Sequence, residues 1–325
     1  EQNWRSLFGT LYNTYSFFSL YANLDNFDYS EADIPKENRP EIDRWILSEL
    51  NTLIQSVDDA YNEYEPTRAT RMISNFVQEN LSNWFVRLSR RRFWKGSYAE
   101  DKISAYQTLY TCLVTVAQLG APVAPFFMDR LYKDLTSGTV KDGKESVHLS
   151  NFPKADATYI DTELEHKMRQ AQTISSLVLS LRQREKIKVR QPLQKIMIPV
   201  LDEASRKEIE AVSDLIKSEV NVKEIELIDE GSGLLVKQIK PDFKKLGPRF
   251  GKDMKQVASV IQQFGPEEIS KLEKEGEISI LFNEKNLKLN LDDVVISSQD
   301  IEGWLVANAD GVTVALDVTI NEELR

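Results

Sequence analysis

The stretch NWFVRLSRRRFWKG, residues 83–96, places four arginines and a lysine within nine residues, from Arg87 to Lys95, among Trp84, Phe85, Phe93 and Trp94. Guanidinium and ammonium groups meet phosphates, and aromatic or guanidinium planes accept unpaired bases, so this mixture suits contact with RNA. Two plainer explanations stand beside that one. Basic residues near a helix C-terminus interact favourably with its dipole, and the apolar stem of arginine can pack. A third possibility is a protein partner. Arg90, Arg91 and Arg92 repel one another unless something anionic answers them, and composition alone leaves open whether that is RNA, acidic neighbours or a partner.

The charge pattern along the chain sharpens the question. Overall the chain is acidic, with 51 Asp plus Glu against 41 Lys plus Arg. Residues 1–65 carry 4 basic against 13 acidic side chains, whereas residues 66–95 carry 7 against 1. Two further basic islands follow: residues 182–195 with 6 against 1, and residues 240–255 with 6 against 2. The stretch 277–325 returns to 3 against 10. Three basic islands on an acidic body are a patterned charge, and a net value of −10 hides them. For the second and third islands, ligand contact and solvated surface are equally good readings.

Other chemistries fail on residue type or spacing. GPRFGKD, residues 247–253, resembles a phosphate-binding loop, but it is one residue short between its glycines and carries Asp253 where a magnesium-binding Ser or Thr belongs. The single cysteine, Cys112, lies in an apolar helical run and cannot form an internal disulfide, which suits a reducing, cytoplasmic setting. With only His148 and His166 besides, a zinc site built from Cys and His is excluded. His148 in a β-like run reads as structural and His166 as a solvated helix residue. Asp292 and Asp293 are adjacent in what reads as a strand and so point to opposite faces. No catalytic site, metal or cofactor is expected. No run of eighteen apolar residues exists and no signal peptide is visible, so no membrane partner is expected. The chain starts with Glu and reads as helix at once, which suggests a piece of a longer protein.

The elements that must position the arginines are helical. Residues 1–24 carry aromatics at helical spacing, and 41–65 place Ile42, Trp45, Ile46, Leu50, Leu53, Ile54 and Val57 on one stripe. Pro66 opens a third helix running to about Trp94, with Ile73, Val77, Leu81, Trp84 and Leu88 as its apolar stripe. At about 100° per residue, Asn83, Arg87, Arg90 and Trp94 fall on an adjoining flank, while Arg91 and Lys95 continue the stripe itself. The helix is therefore expected to leave its bundle near Leu88. A fourth helix covers about 98–119, APVAPFFMDRLYKDL continues it after a proline break, and SVHLSNFP reads as a short extended segment closing the bundle. A long helix follows over about 159–186. After it come β-rich runs (LQKIMIPV, VKEIELID, LLVKQIKPDF, EISIL, LKLNLDDVVIS), two helices at about 249–264 and 266–275, and a final hairpin turning at Asp310-Gly311. The basic segment 240–255, with Gly247, Pro248 and Gly251, reads as loop. The expected fold class is thus multidomain, an all-α bundle (1–155) joined by a connecting helix (156–192) to a mixed α/β domain (193–325).

At this point the residues resemble a known family. LYNTYSFFSLYANLDNF, NWFVRLSRRRFWKG, APVAPFFMDRLY, SVHLSNFP, IKVRQPLQKIMIP and PDFKKLGPRFGK, in this order and over nearly the whole chain, resemble the C-terminal part of the isoleucyl-tRNA synthetases, in the branch shared by eukaryotes and some bacteria. APFF and SVHL alone would also fit valyl-tRNA synthetases, the alternative assignment. A protein-interaction module using the acidic surfaces is the alternative of a different class. The resemblance implies a helical anticodon-binding domain of class I synthetases followed by an α/β extension. It also implies a catalytic domain elsewhere in the same longer chain, using ATP and magnesium to charge isoleucine tRNA. The HIGH and KMSKS signatures of that domain are absent here, so this stretch is expected to be non-catalytic and to bind the anticodon stem-loop. The cysteine-rich zinc module that ends many bacterial members is absent too, and Asp242 stands where the family pattern suggests Asn. Helix geometry and the basic islands, not the resemblance, supply the candidate tRNA-binding residues: Asn83, Arg87, Arg90, Arg91, Arg92, Trp94 and Lys95 in the first island, Lys188 and Arg190 in the second, and Lys244, Lys245, Arg249 and Lys252 in the third.

Overall fold

The computed structural model describes residues 2–141, 143–200, 202–229, 237–282, 285–298, 304–309 and 311–319. The chain divides into two compact units, residues 1–165 and 166–325, with the boundary inside a helix where the sequence suggested a break at 155.

The first unit is helical. α1 (Gln2–Asp25) and α2 (Glu41–Asn62) are followed by α3 (Pro66–Asn75), a π-helical segment (Phe76–Val86) and α4 (Arg87–Trp94) without an intervening turn. α5 (Glu100–Gly120) and α6 (Pro125–Thr136) complete the bundle. Pro66 occupies the first turn of α3, where its missing N–H costs nothing. The core is aromatic: Phe18 meets Phe27, Tyr106 and Tyr110, and Phe93 meets Phe17 at 5.2 Å and Tyr106 at 5.0 Å between ring centroids. The loop between α1 and α2 is held by Arg39, which is buried and donates to the carbonyl of Ile34 (3.0 Å), to Thr108 (2.7 Å) and to Gln107 (3.2 Å).

Two expectations are corrected here. SVHLSNFP is not extended throughout: Ser146 and Ser150 are, but Val147–Leu149 between them form a 3-10 turn, with Val147 buried and His148 exposed. The Asp129 carboxylate on α6 shapes this turn by accepting from Ser146 Oγ (2.6 Å) and from the Val147 amide (2.9 Å). Nor does the third helix leave the bundle at Leu88. Ser89 and Phe93 beyond it are each 1 % exposed. The π-helical segment is the reason. It closes its hydrogen bonds one residue further back than an α-helix, and its buried residues include Phe76, Leu81 and Val86, five apart, beside Val77, Trp84 and Phe85. When α-helical winding resumes, Ser89 and Phe93 have inherited the inward face.

The second unit holds α7 (Thr162–Arg184) from His166 onward and a four-stranded mixed sheet, ordered β2-β1-β8-β7. β1 (Leu193–Val200) pairs in parallel with β2 (Val222–Asp229), with α8 (Glu203–Ala211) and α9 (Ser213–Val220) between them in sequence. β7 (Trp304–Ala309) and β8 (Val312–Asp317) form the expected hairpin, in register Ala309 to Val312 with Gly311 at φ +76°; Asp310 lies outside the described residues. A second cluster packs α10 (Phe243–Phe250), α11 (Met254–Gln262) and α12 (Pro266–Glu275) on two antiparallel pairs. One pair is β3 (Lys237–Pro241) with β6 (Val294–Ser298); the other is β4 (Glu277–Phe282) with β5 (Lys285–Asn290). The segment read as loop at 240–255 is thus largely helix: Asp242 caps α10 by accepting from the Lys244 amide at 2.9 Å, and Leu246 is fully buried. Leu291–Asp293 is a 3-10 turn rather than strand, which leaves Asp292 exposed and Asp293 buried.

Asp129 gives a pH-dependent test of the bundle. The hydrogen bond from Lys133, then that from Ser146, lowers its pKa from 3.8 to about 2. A depressed folded-state pKa contributes stability that is present above the unfolded value and lost as pH falls through the folded one. Acid titration followed by circular dichroism should therefore show stability falling between about pH 4 and pH 2. Asp129→Asn should remove that part of the acid slope and lower the midpoint at neutral pH; an unchanged slope would show that Asp129 does not hold the 146–149 turn.

Candidate nucleic-acid interface

α4 carries the first island, and its α-helical winding decides where each side chain points. Arg87, Arg90, Arg91 and Trp94 stand at i, i+3, i+4 and i+7, on one face, and all four are exposed, Trp94 at 59 %. Arg87 donates Nε to the Asn83 carbonyl at 2.7 Å, which lays its side chain back along the helix. Lys95 follows in extended conformation and places Nζ 5.9 Å from the Trp94 ring centroid. Gly96, at φ +93°, takes the backbone where other residues are strained. Asn83 is exposed one turn earlier and donates to Glu79 at 3.3 Å. Arg91, which constant helical winding had set in line with the apolar stripe, is thus on the exposed face although the helix stays in the bundle.

Arg92 points the other way. Its guanidinium donates to both carboxylate oxygens of Asp43 on α2, at 2.6 and 2.9 Å, and to the Asp101 carbonyl at 2.8 Å. Asp43 has no exposed surface and also accepts from Ser104 on α5 at 2.5 Å. Burial alone would lower the Arg92 pKa, but the hydrogen bonds and charge of Asp43 and then Asp101 outweigh it and raise it. Of the five cations in this island, this one is committed to the interior.

In the second island, Lys188 and Arg190 are exposed on a turn. Arg182, from the same run, is 1 % exposed and ties that turn down through backbone carbonyls. In the third, Lys244 and Lys245 are exposed on the first turn of α10, beside Phe243. Arg249 is partly spent: it donates to the buried Asp293 at 2.7 Å and to the Lys288 carbonyl at 3.1 Å. The Lys252 side chain lies outside the described residues. The structure thus brings Arg87, Arg90, Arg91 and Trp94 together on α4, and Lys244 with Lys245 on α10.

Comparison with known proteins identifies this scaffold. A family model described as the anticodon-binding domain of tRNA ligase matches residues 43–198. The isoleucine–tRNA ligase of Bacteroides thetaiotaomicron is 58 % identical over all 325 residues, and that of Porphyromonas gingivalis is 59 % identical over the same span. That of Thermus thermophilus is 36 % identical over 322 residues. Residues 43–198 thus match an anticodon-binding domain of tRNA ligases, and the chain is similar over its length to part of these isoleucine–tRNA ligases. It spans 28 % of the length of the two closer of these ligases and 31 % of the third.

Sequence reading missed three determinants of the site. The Asp43–Arg92 pair was hidden because Arg92 looks like its neighbours. Its one signal is Asp43 itself, an acid spaced with Leu47, Leu50, Ile54 and Val57 on the buried stripe of α2. The π-helical winding had no distinct signal, because Phe76, Leu81 and Val86 at steps of five lie among Val77, Trp84 and Phe85, which are buried too. The role of Arg182 had no local signal. Among the described residues, no group of three or more His, Cys, Asp or Glu could hold a metal ion, and no helix is long and apolar enough to cross a membrane.

The division of labour among the arginines is testable by stability alone. Removing one partner of a buried ion pair leaves an uncompensated charge and costs about 3–5 kcal/mol. Arg92→Ala and Asp43→Asn should each lower the unfolding free energy measured by urea titration by an amount of that order. Arg90→Ala, on the open face, should stay within about 0.5 kcal/mol of the parent. Equal losses for Arg90→Ala and Arg92→Ala would contradict the assignment.

Proposed function

We propose that this chain is the tRNA-binding, anticodon-recognising portion of an isoleucine–tRNA ligase, and that the exposed face of α4 meets RNA. The observation that carries the reading is the grouping of Arg87, Arg90, Arg91 and Trp94 on one exposed face of a chain matched by the anticodon-binding family model. Three guanidinium groups at helical spacing suit successive phosphates. The exposed indole at the helix end offers a stacking plane for a base or ribose, with Lys95 beside it. Lys188, Arg190, Lys244 and Lys245 extend the same chemistry to the second unit. Arg92 has no part in this, because Asp43 holds it.

The longer protein charges isoleucine tRNA with ATP and magnesium in a catalytic domain outside this chain, in the cytoplasm. This stretch supplies affinity and discrimination, not bond making. Its acidic remainder disfavours RNA away from the basic faces, since like-charge juxtaposition opposes misplaced contacts.

A titration of the 325-residue chain against an isoleucine tRNA transcript, and against the same transcript with its anticodon replaced, tests this at two salt concentrations. Tighter binding to the native anticodon, weakening steeply with salt, is expected. Arg90→Ala should weaken binding to both transcripts and flatten the salt slope by about one unit. Trp94→Ala should cost about 1–3 kcal/mol if it stacks on a base. Binding that ignores salt and survives both substitutions would overturn the reading.

A further inference from the structure

The turn after α7 is built in an unusual way. Arg182, 1 % exposed, donates to the carbonyls of Lys188 (3.3 Å), Gln191 (2.9 Å) and Asn221 (2.9 Å), and among the described residues it has no carboxylate partner. A buried guanidinium without a counter-charge is costly, and burial lowers the Arg182 pKa. Asn221, in left-handed conformation at φ +52°, adds a bond from Nδ2 to the Val189 carbonyl at 2.9 Å, and its own carbonyl accepts from Leu193 at 3.1 Å. The Gln191 amide closes the turn on the Lys188 carbonyl at 2.9 Å.

These bonds leave the turn with a defined polarity. The carbonyls of Lys188, Val189 and Gln191 are all engaged by donors of the fold. Among the described residues, the amides of Lys188, Val189 and Arg190 donate to none of its acceptors, and the side chains of Lys188 and Arg190 are exposed. Acceptors are tied down and donors are left over, on a tip flanked by two cations and underlain by a third. Consecutive backbone N–H groups in a turn form an anion-binding concavity. The charge balance asks for the same ligand, because Arg182, Lys188 and Arg190 repel one another until an anion sits among them.

We propose that the Lys188–Arg190 turn is a preformed site for a phosphodiester of bound RNA, and that Arg182 is the positioning residue that fixes it. This rests on the RNA-binding reading above but concerns a different site, in the second unit. Arg182 never touches the phosphate. It acts by holding the carbonyls away from it, so the ordering is done before RNA arrives and little is lost on binding.

The test uses the whole 325-residue chain and the isoleucine tRNA transcript, with affinity read over a series of salt concentrations. Lys188→Ala/Arg190→Ala should weaken binding and flatten the log–log salt slope by about 0.7–0.9 units, the value for one neutralised phosphate. Arg182→Met should flatten it similarly and add nothing further when combined with the double substitution. Additive losses would make Arg182 a general stabiliser and overturn its positioning role. Should Arg182→Met fail to fold by circular dichroism, Arg182→Lys, offering one ammonium to three carbonyls, should give an intermediate slope if the role is right and the parental slope if it is wrong. A double variant with the parental slope, while Arg90→Ala still weakens binding, would sink the turn site and leave the RNA reading intact. If neither variant changes binding, the RNA reading itself falls.

Discussion

The buried contact between Asp43 and Arg92 is the constraint on which the helical unit rests. It joins α2 to α4, and through Ser104 and the Asp101 carbonyl it joins both to α5. A carboxylate with no exposed surface is tolerated only when its lone pairs are met, and here Arg92 meets them in bidentate fashion while Ser104 adds a third donor. The contact also sorts a run of chemically similar arginines into roles. Once Arg92 points inward, helical geometry obliges Arg90 and Arg91 to point outward, and Phe93 to enter the aromatic core between Phe17 and Tyr106. One acid on one helix thereby aims the cations of another.

A second use of arginine recurs in the other unit, with the opposite electrostatic logic. Arg92 is neutralised by what it holds; Arg182 holds only carbonyl dipoles and keeps its charge beneath an already cationic turn. Arg249 lies between these cases, half exposed yet bonded to the buried Asp293 and the Lys288 carbonyl. Buried or half-buried arginine is thus the common fastening of the chain's polar interior, joined by Arg39 in the loop before α2. The planar fork with several fixed donors suits that work better than an ammonium would.

Much of this was legible in the residues. Strand β1 falls on the β-rich run LQKIMIPV, α2 follows its apolar stripe, and the last hairpin turns where the Asp-Gly pair indicates. What was illegible shares a physical cause. Constant α-helical winding was assumed through residues 66–94, so a change of pitch at 76–86 left the inward turn of Ser89 and Phe93 unforeseen, while Arg87, Arg90 and Trp94 kept their expected flank. Gly247 and Pro248 suggested loop, yet the buried Leu246 and the Asp242 cap hold α10 together around them. Local propensity lost to tertiary packing there. The site itself was half readable: the residue types pointed to RNA, but which arginines were available depended on an aspartate 49 positions earlier in the chain.

The π-helical segment carries a consequence for how such a surface can change over time. Between Phe76 and Val86 the orientation of everything downstream is stored as a number of residues, not as their identities. Substitutions along the segment alter fit but leave the angular phase of α4 untouched. Loss or gain of a single residue there would turn the arginine face by roughly a quarter turn about the helix axis. Such a change would swing Arg90 and Arg91 away from solvent and set Phe93 free of its ring partners in one step. Lineages can therefore tune the chemistry of this face gradually, but they can re-aim it only by a jump.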